Sequence, residues 1–318
     1  MLLRLAPVSP LAFGALRLVL VPALLVWILA RLGGMEGSRF AMAEPLWLLL
    51  GLGVNQMVLA IFALRMQWVL RLCAVRIGWP AALRIHLESM FYFFAVPMTV
   101  GLEVARFVKI RAIDPQASKA GLTAALLLDR LLGAGSALAV AVLCLPLVRT
   151  RIPFETSPAW ILSALGAAAA LGLGLLLWRR SRGWLAQSWR LTQGRRLGLV
   201  ALFVLSMAMH VLFAAGVQFA ARAFGLPVSL ADTVFAVAGG MLLVAVPVSL
   251  AGLGPAEAGA AGLFVALGYT PAVALTAGAL PYLARLVAAL EGGALELVES
   301  GTATVSATRR LIHGRRTP

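Results

Sequence analysis

The sequence predicts an all-α polytopic membrane protein with about six full spans and two re-entrant broken helical hairpins, arranged as an inverted repeat. Three observations carry that prediction. The 318 residues are 62% hydrophobic and only 12% charged, whereas charged residues make up about a quarter of a soluble domain. Stretches 45–64, 157–178 and 197–221 contain no charged side chain, and each meets the length of about 20 residues that a spanning helix needs. Finally, one pattern occurs twice. Val96-Pro97-Met98-Thr99-Val100-Gly101-Leu102-Glu103 returns in outline as Val246-Pro247-Val248-Ser249-Leu250-Ala251-Gly252-Leu253-Gly254-Pro255-Ala256-Glu257. Broken apolar segments at corresponding positions of two halves point to a transporter's binding site.

Charge orders the elements across the membrane. The net charge of +15 gathers in residues 65–84, 106–119, 179–196 and 309–316. Basic loops stay in the cytoplasm, so the charge reads as orientation and contact with anionic headgroups, with no nucleic acid as partner. Helix 1 (about 10–32) then runs outward as a retained span. The motif Ala41-Met42-Ala43 lies too far beyond its apolar core for signal-peptide cleavage. Helix 2 (about 45–68) returns, with Trp68, Arg65 and Arg71 as an interfacial anchor. Residues 80–105 start and finish beside cytoplasmic loops and so dip into the membrane and back. Helix 3 (about 116–148) runs out, helix 4 (about 157–179) returns, and helix 5 (about 197–222) runs out again. Residues 232–268 form a second dip from the opposite face. Helix 6 (about 271–299) leads to the basic tail, 300–318. The repeats are about 10–148 and 157–299, and both termini are cytoplasmic. Each dip can also be drawn as a full span, but the tail stays inside only if both are.

Pro97, Gly101, Pro247, Gly252, Gly254 and Pro255 are the hairpin breakers, because proline removes an intrahelical hydrogen bond and clashes with the preceding turn. Unwound backbone at membrane depth survives only where protein or a water-filled cavity satisfies it. A break therefore implies a polar cavity.

Ionisable groups inside spans are functional candidates. Six are assigned here as substrate-binding: Glu103, Arg106, Asp129, Arg130, Glu257 and Arg285. Glu103 and Arg106 lie three apart, on one helical face. Asp129 and Arg130 are adjacent and point different ways, so one needs a partner elsewhere. Asp129 follows Pro115 by fourteen residues and Arg285 follows Pro271 by the same interval. Arg285 is expected to pair with Glu257 or with Asp129. His86 and Glu88 read as an interfacial polar face, Glu296 and Glu299 as solvated, and His210 as a hydrogen-bonded structural histidine. No His/Cys cluster suggests a metal, no cofactor motif is present, and Cys73 and Cys144 are expected to remain unpaired.

Three stretches of this sequence resemble the lysylphosphatidylglycerol synthase transmembrane-domain family of flippase-like proteins. They are Pro97-x3-Gly101-x-Glu103-x2-Arg106, Leu126-Leu127-Leu128-Asp129-Arg130-Leu131-Leu132-Gly133, and Pro247-x-Ser249-x2-Gly252-x-Gly254-x2-Glu257 followed by Leu267-Gly268. Leu102 and Ala256 replace a glycine and a basic residue usual in that pattern. The resemblance implies a domain of a bacterial inner membrane that moves lipids between leaflets, here without the aminoacyl transferase domain fused to it in some members.

Two further readings compete with a flippase for a phospholipid, aminoacylated lipid or polyprenyl-phosphate lipid. One is a scaffold for lipid-biosynthesis enzymes. The other, an intramembrane lipid-modifying enzyme, lacks any nucleophile or acid–base constellation in the sequence, and the expectation is a protein that is not an enzyme.

Overall fold

A computed structural model describes residues 44–95, 100–148, 196–245 and 254–313. Predicted helices 1 and 4, Pro97, Pro247 and Gly252 lie outside the described residues. Within them the chain is helical: α1 (Pro45–Leu72), α2 (Trp79–Ala95), α3 (Val100–Ile113), α4 (Lys119–Val148), α5 (Arg196–Ala223), α6 (Leu230–Met241), α7 (Pro255–Ala266) and α8 (Pro271–His313). A short 3₁₀ turn, Leu242–Ala245, prolongs α6. Four helices are long and apolar enough to cross a membrane: α1, α4, α5 and the Pro271–Val298 part of α8. The protein is therefore an all-helical, multi-pass membrane protein. Exposed Leu49, Leu143, Leu147 and Val200 on the long helices suit a lipid surround, which accepts apolar side chains that water would penalise.

A long helix followed by two short ones and another long one occurs twice, as α1–α4 and α5–α8. The first joint is repeated down to its hydrogen bonds. Helices α1 and α5 each have 28 residues, and each closes through a left-handed residue, Ala74 (φ 61°) or Gly225 (φ 63°). The amide of Val75 donates to the carbonyl of Leu70, and that of Leu226 donates to Ala221, both at 2.9 Å. This six-to-one bond satisfies the carbonyls that a helix end leaves open. Gln67 Nε2 then donates to the Ile77 carbonyl at 2.9 Å and Gln218 Nε2 to the Val228 carbonyl at 2.8 Å, each ten residues on. Each buried amide ties a long helix to the extended link that starts the next hairpin.

The short helices have 17, 14, 12 and 12 residues. At about 1.5 Å per residue none reaches the roughly 30 Å of a hydrocarbon core. In each hairpin the two short helices pack on each other. The first helix of each hairpin also packs on the last long helix of the other half: α2 on α8 and α6 on α4. Helices α1 and α5 meet along the centre, where a Cβ on Gly51 would lie 3.0 Å from the Gly216 carbonyl. Small residues at such crossings let backbones approach, the main source of attraction between helices in lipid.

The halves differ in one respect. Helix α7 lies tightly along α8, with an ideal Cβ on Gly278 only 2.8 Å from the Ala261 Cβ. Helix α3 touches α4 at few points. Compared with the sequence expectation, helix 2 ends four residues later, at Leu72, and α8 continues to His313. No proline interrupts residues 300–313, so nothing forces a break there.

Candidate functional site

The ionisable groups of the first half converge around Phe62 of α1. Arg65, one turn further along the same helix, sits with its guanidinium 4.6 Å from the Phe62 ring centroid. It donates to Oδ2 of Asp129 on α4 at 3.0 Å, lies 2.9 Å from Oδ1 of the same carboxylate, and donates to Ser206 Oγ of α5 at 3.1 Å. Both side chains of this ion pair are buried. Arg106 of α3 also lies near the ring, 5.0 Å from its centroid. It donates to Glu103 at 3.3 Å and to His86 Nδ1 at 2.9 Å, and lies 3.9 Å from Asp129. A guanidinium can only donate, so Nδ1 of His86 is the acceptor and carries no proton. The imidazole itself stacks on Phe62 with centroids 4.0 Å apart.

Arg130 points the other way from Asp129. Its Nε donates to Oε1 of Glu103 at 2.8 Å, and its Nη2 lies 2.8 Å from the same oxygen. Among the described residues the polar contacts of Glu103 fall on that one oxygen, and its Oε2 is buried without a hydrogen-bond partner. Glu103 stands in the first turn of α3, where the positive end of the helix dipole favours an anion. Together Arg65, Arg106 and Arg130 set three positive charges against the two negative charges of Glu103 and Asp129. Beside Glu103 and Arg130 a cleft of about 350 Å³ opens between α3 and α4. It is lined by Val104 and Phe107 on one wall and Thr123, Leu126 and Leu127 on the other. The Arg130 side chain is 38% exposed.

The second half contains a matching pair. Glu257 stands in the first turn of α7, and its Oε2 accepts the amide of Gly254 at 2.9 Å, the return half of a capping box. Its Oε1 pairs with Arg285 of α8, which is one of the two partners the sequence suggested. Arg285 also lies 5.8 Å from the Phe93 ring centroid. The pairs correspond element by element: a glutamate in the first turn of the second hairpin helix and an arginine on the following long helix. On this geometry the counterpart of Arg285 is Arg130, whereas the interval from proline had suggested Asp129. Glu257 and Arg285 are shut in, with side chains 7% and 12% exposed.

A third group corrects two expectations. Glu88 is buried, and so is His86; neither forms an interfacial face. Glu88 Oε1 accepts from Arg84 Nε at 2.7 Å, and Oε2 meets Lys109 Nζ at 2.8 Å. Lys109 also pairs with Glu296, which is therefore packed against α3; it had read as solvated. This cluster ties α2, α3 and α8. Arg65, expected from sequence as an interfacial anchor, is a core residue. Its only signal in the sequence is a position nearly two turns inside the helix from Arg71. His210 matches expectation: its Nε2 contacts the Gly133 carbonyl at 3.0 Å and joins α5 to α4. Gly101, Gly254 and Pro255 sit at or just inside the starts of α3 and α7. Proline suits such a position because its missing N–H would have no intrahelical partner.

Among the described residues no group of three or more His, Cys, Asp or Glu could hold a metal ion. The chain matches no curated protein and no solved structure. A family model, described as the lysylphosphatidylglycerol synthase TM region, matches residues 14–290. Its span takes in both hairpins and both ion pairs. The chain belongs to that lipid-handling membrane family.

Proposed function

We propose that the protein moves a lipid between leaflets of the bilayer in which it sits, with the headgroup held by buried arginines while the tail stays in the hydrocarbon. The observation that supports this best is the concentration of charge inside a bundle whose outer face is apolar. Ionisable groups at membrane depth are expensive and mark substrate or ion pathways. An excess of guanidinium over carboxylate in the first half suits a phosphate, which arginine binds through two parallel hydrogen bonds. The cargo class is an anionic phospholipid, an aminoacylated lipid or a polyprenyl-phosphate lipid. The short hairpins act as re-entrant elements of two inverted halves in a bacterial inner membrane, with both termini cytoplasmic. No catalytic step is assigned. Glu103, Arg106, Asp129, Arg130, Glu257 and Arg285 form the conducting region.

The test is leaflet transfer of fluorescent phosphatidylglycerol in vesicles reconstituted with the purified protein, read by bleaching of the outer leaflet. Wild type accelerates transfer, and Glu257→Gln and Arg285→Ala abolish it at normal expression. Unchanged transfer in both variants removes these residues from the pathway. The alternative, a scaffold for lipid-biosynthesis enzymes, expects no transfer from wild type and tolerance of both substitutions.

A further inference from the structure

Two ion pairs occupy equivalent places in the two halves, but they are in different conditions. Between α7 and α8 the helices are in contact through Ala261 and Gly278, and Glu257–Arg285 is enclosed. Between α3 and α4 the helices touch at few points, and among the described residues Glu103–Arg130 borders a cleft with apolar walls. The same ion pair therefore stands once enclosed between helices and once beside a cleft.

We propose that each pair is a gate on a lateral site for the phosphate of a lipid, and that the phosphate opens it by taking the glutamate's place on the arginine. This rests on the lipid-handling reading above and specifies how cargo is admitted. Three features favour a phosphate-bearing occupant at the α3–α4 cleft. Arg130 offers a fork of donors, of which Nε and Nη2 are spent on a single carboxylate oxygen; a phosphate has oxygens enough to engage the whole fork. The cluster around it carries one uncompensated positive charge, so exchanging a carboxylate for a phosphate introduces no unfavourable excess. Val104, Phe107, Leu126 and Leu127 provide a wall for a hydrocarbon tail next to that charge. A water-soluble phosphate ester would have no use for such a wall.

Glu103 and the ligand then compete for Arg130, which predicts opposite signs for two neutralising substitutions. The full-length protein, purified in detergent, is titrated with phosphatidylglycerol and with diacylglycerol of the same chains, and bound lipid is counted by native mass spectrometry. Glu103→Gln removes the competitor and raises phosphatidylglycerol affinity about tenfold, while Arg130→Gln lowers it about tenfold, the scale of one hydrogen bond to a charged group. Arg130→Lys retains part of the affinity. Diacylglycerol binds all four proteins alike. The proposal is overturned if Glu103→Gln weakens phosphatidylglycerol binding or leaves it unchanged, or if diacylglycerol follows the same pattern. Glu103→Gln decides the outcome even if Arg130→Gln fails to fold. Leaflet transfer is measured on the same wild-type preparation. Competition without transfer sinks the transport reading alone, and transfer without competition sinks the gate alone.

Discussion

Arg65 and Asp129 provide the sharpest test of which buried charges are structural. The Arg65 side chain is 4% exposed, with two contacts to Asp129, one to Ser206 and one ring face. Changing it to methionine keeps much of the stem's volume and removes the charge. Asp129 is then left buried, with Arg106 at 3.9 Å as its nearest cation. Removing one partner of a buried pair costs about 3–5 kcal/mol, because the other charge is left uncompensated. Arg106 is close enough to offset some of that, so about 3 kcal/mol is expected for Arg65→Met. Replacing both partners, with Asp129→Leu added, removes the orphaned charge, and such replacements are often nearly neutral. The double variant should therefore fall within about 1 kcal/mol of wild type, leaving a coupling energy well above the few tenths of a kcal/mol expected of independent sites. Unfolding free energies of the four proteins of the cycle, measured by denaturing-detergent titration of mixed micelles, give that number. If the double variant is no more stable than Arg65→Met, the pairing does not hold α1 to α4 and the reasoning fails. Lipid transfer in the double variant separates the two roles open to Asp129. Transfer that survives makes Asp129 an anchor, and transfer lost despite recovered stability returns it to the pathway.

Two further outcomes check the packing. A Cβ on Gly292 would collide with the Leu87 carbonyl and lie 2.8 Å from the Glu88 amide, so Gly292→Ala must push α8 off α2. Overpacking of this kind costs about 1–3 kcal/mol, read as a fall of roughly 2–6 °C in detergent melting temperature; Gly53, with nothing near its Cβ position, is the control, and Gly53→Ala should not destabilise. Equal melting of Gly292→Ala and wild type would mean that α2 and α8 do not cross there. Lys109 bridges Glu88 and Glu296, so Lys109→Met leaves the buried Glu88 with only Arg84 and should cost about 3 kcal/mol. Adding Glu88→Leu to Lys109→Met removes one of the two carboxylates deprived of Lys109 and should restore part of that in the same titration, and no restoration would mean that the bridge does not hold α2 to α3.

Composition and charge determined the membrane class, the helical character and the positions of the four long helices among the described residues. Apolar length and the distribution of arginine act locally, residue by residue, and need no knowledge of neighbours. Of the proline and glycine positions singled out, Gly101, Gly254 and Pro255 fall at the starts of α3 and α7, because backbone restrictions belong to the residue itself. Family membership followed from the spacing of the same motifs.

Only the tertiary structure decided which charges meet. Glu103 and Arg130 are 27 residues apart and Glu257 and Arg285 are 28 apart, yet nothing in the sequence says that α3 leans away from α4 while α7 lies against α8. Arg65, His86, Glu88 and Glu296 looked like surface groups because a polar residue near a helix end has the same sequence signature whether it faces water or another helix. Burial is a property of the face that a neighbour covers, and that neighbour is often more than a hundred residues away, as Ser206 is from Arg65. The open cleft is likewise a property of how two helices pack, and packing distance is set by every side chain along the contact at once.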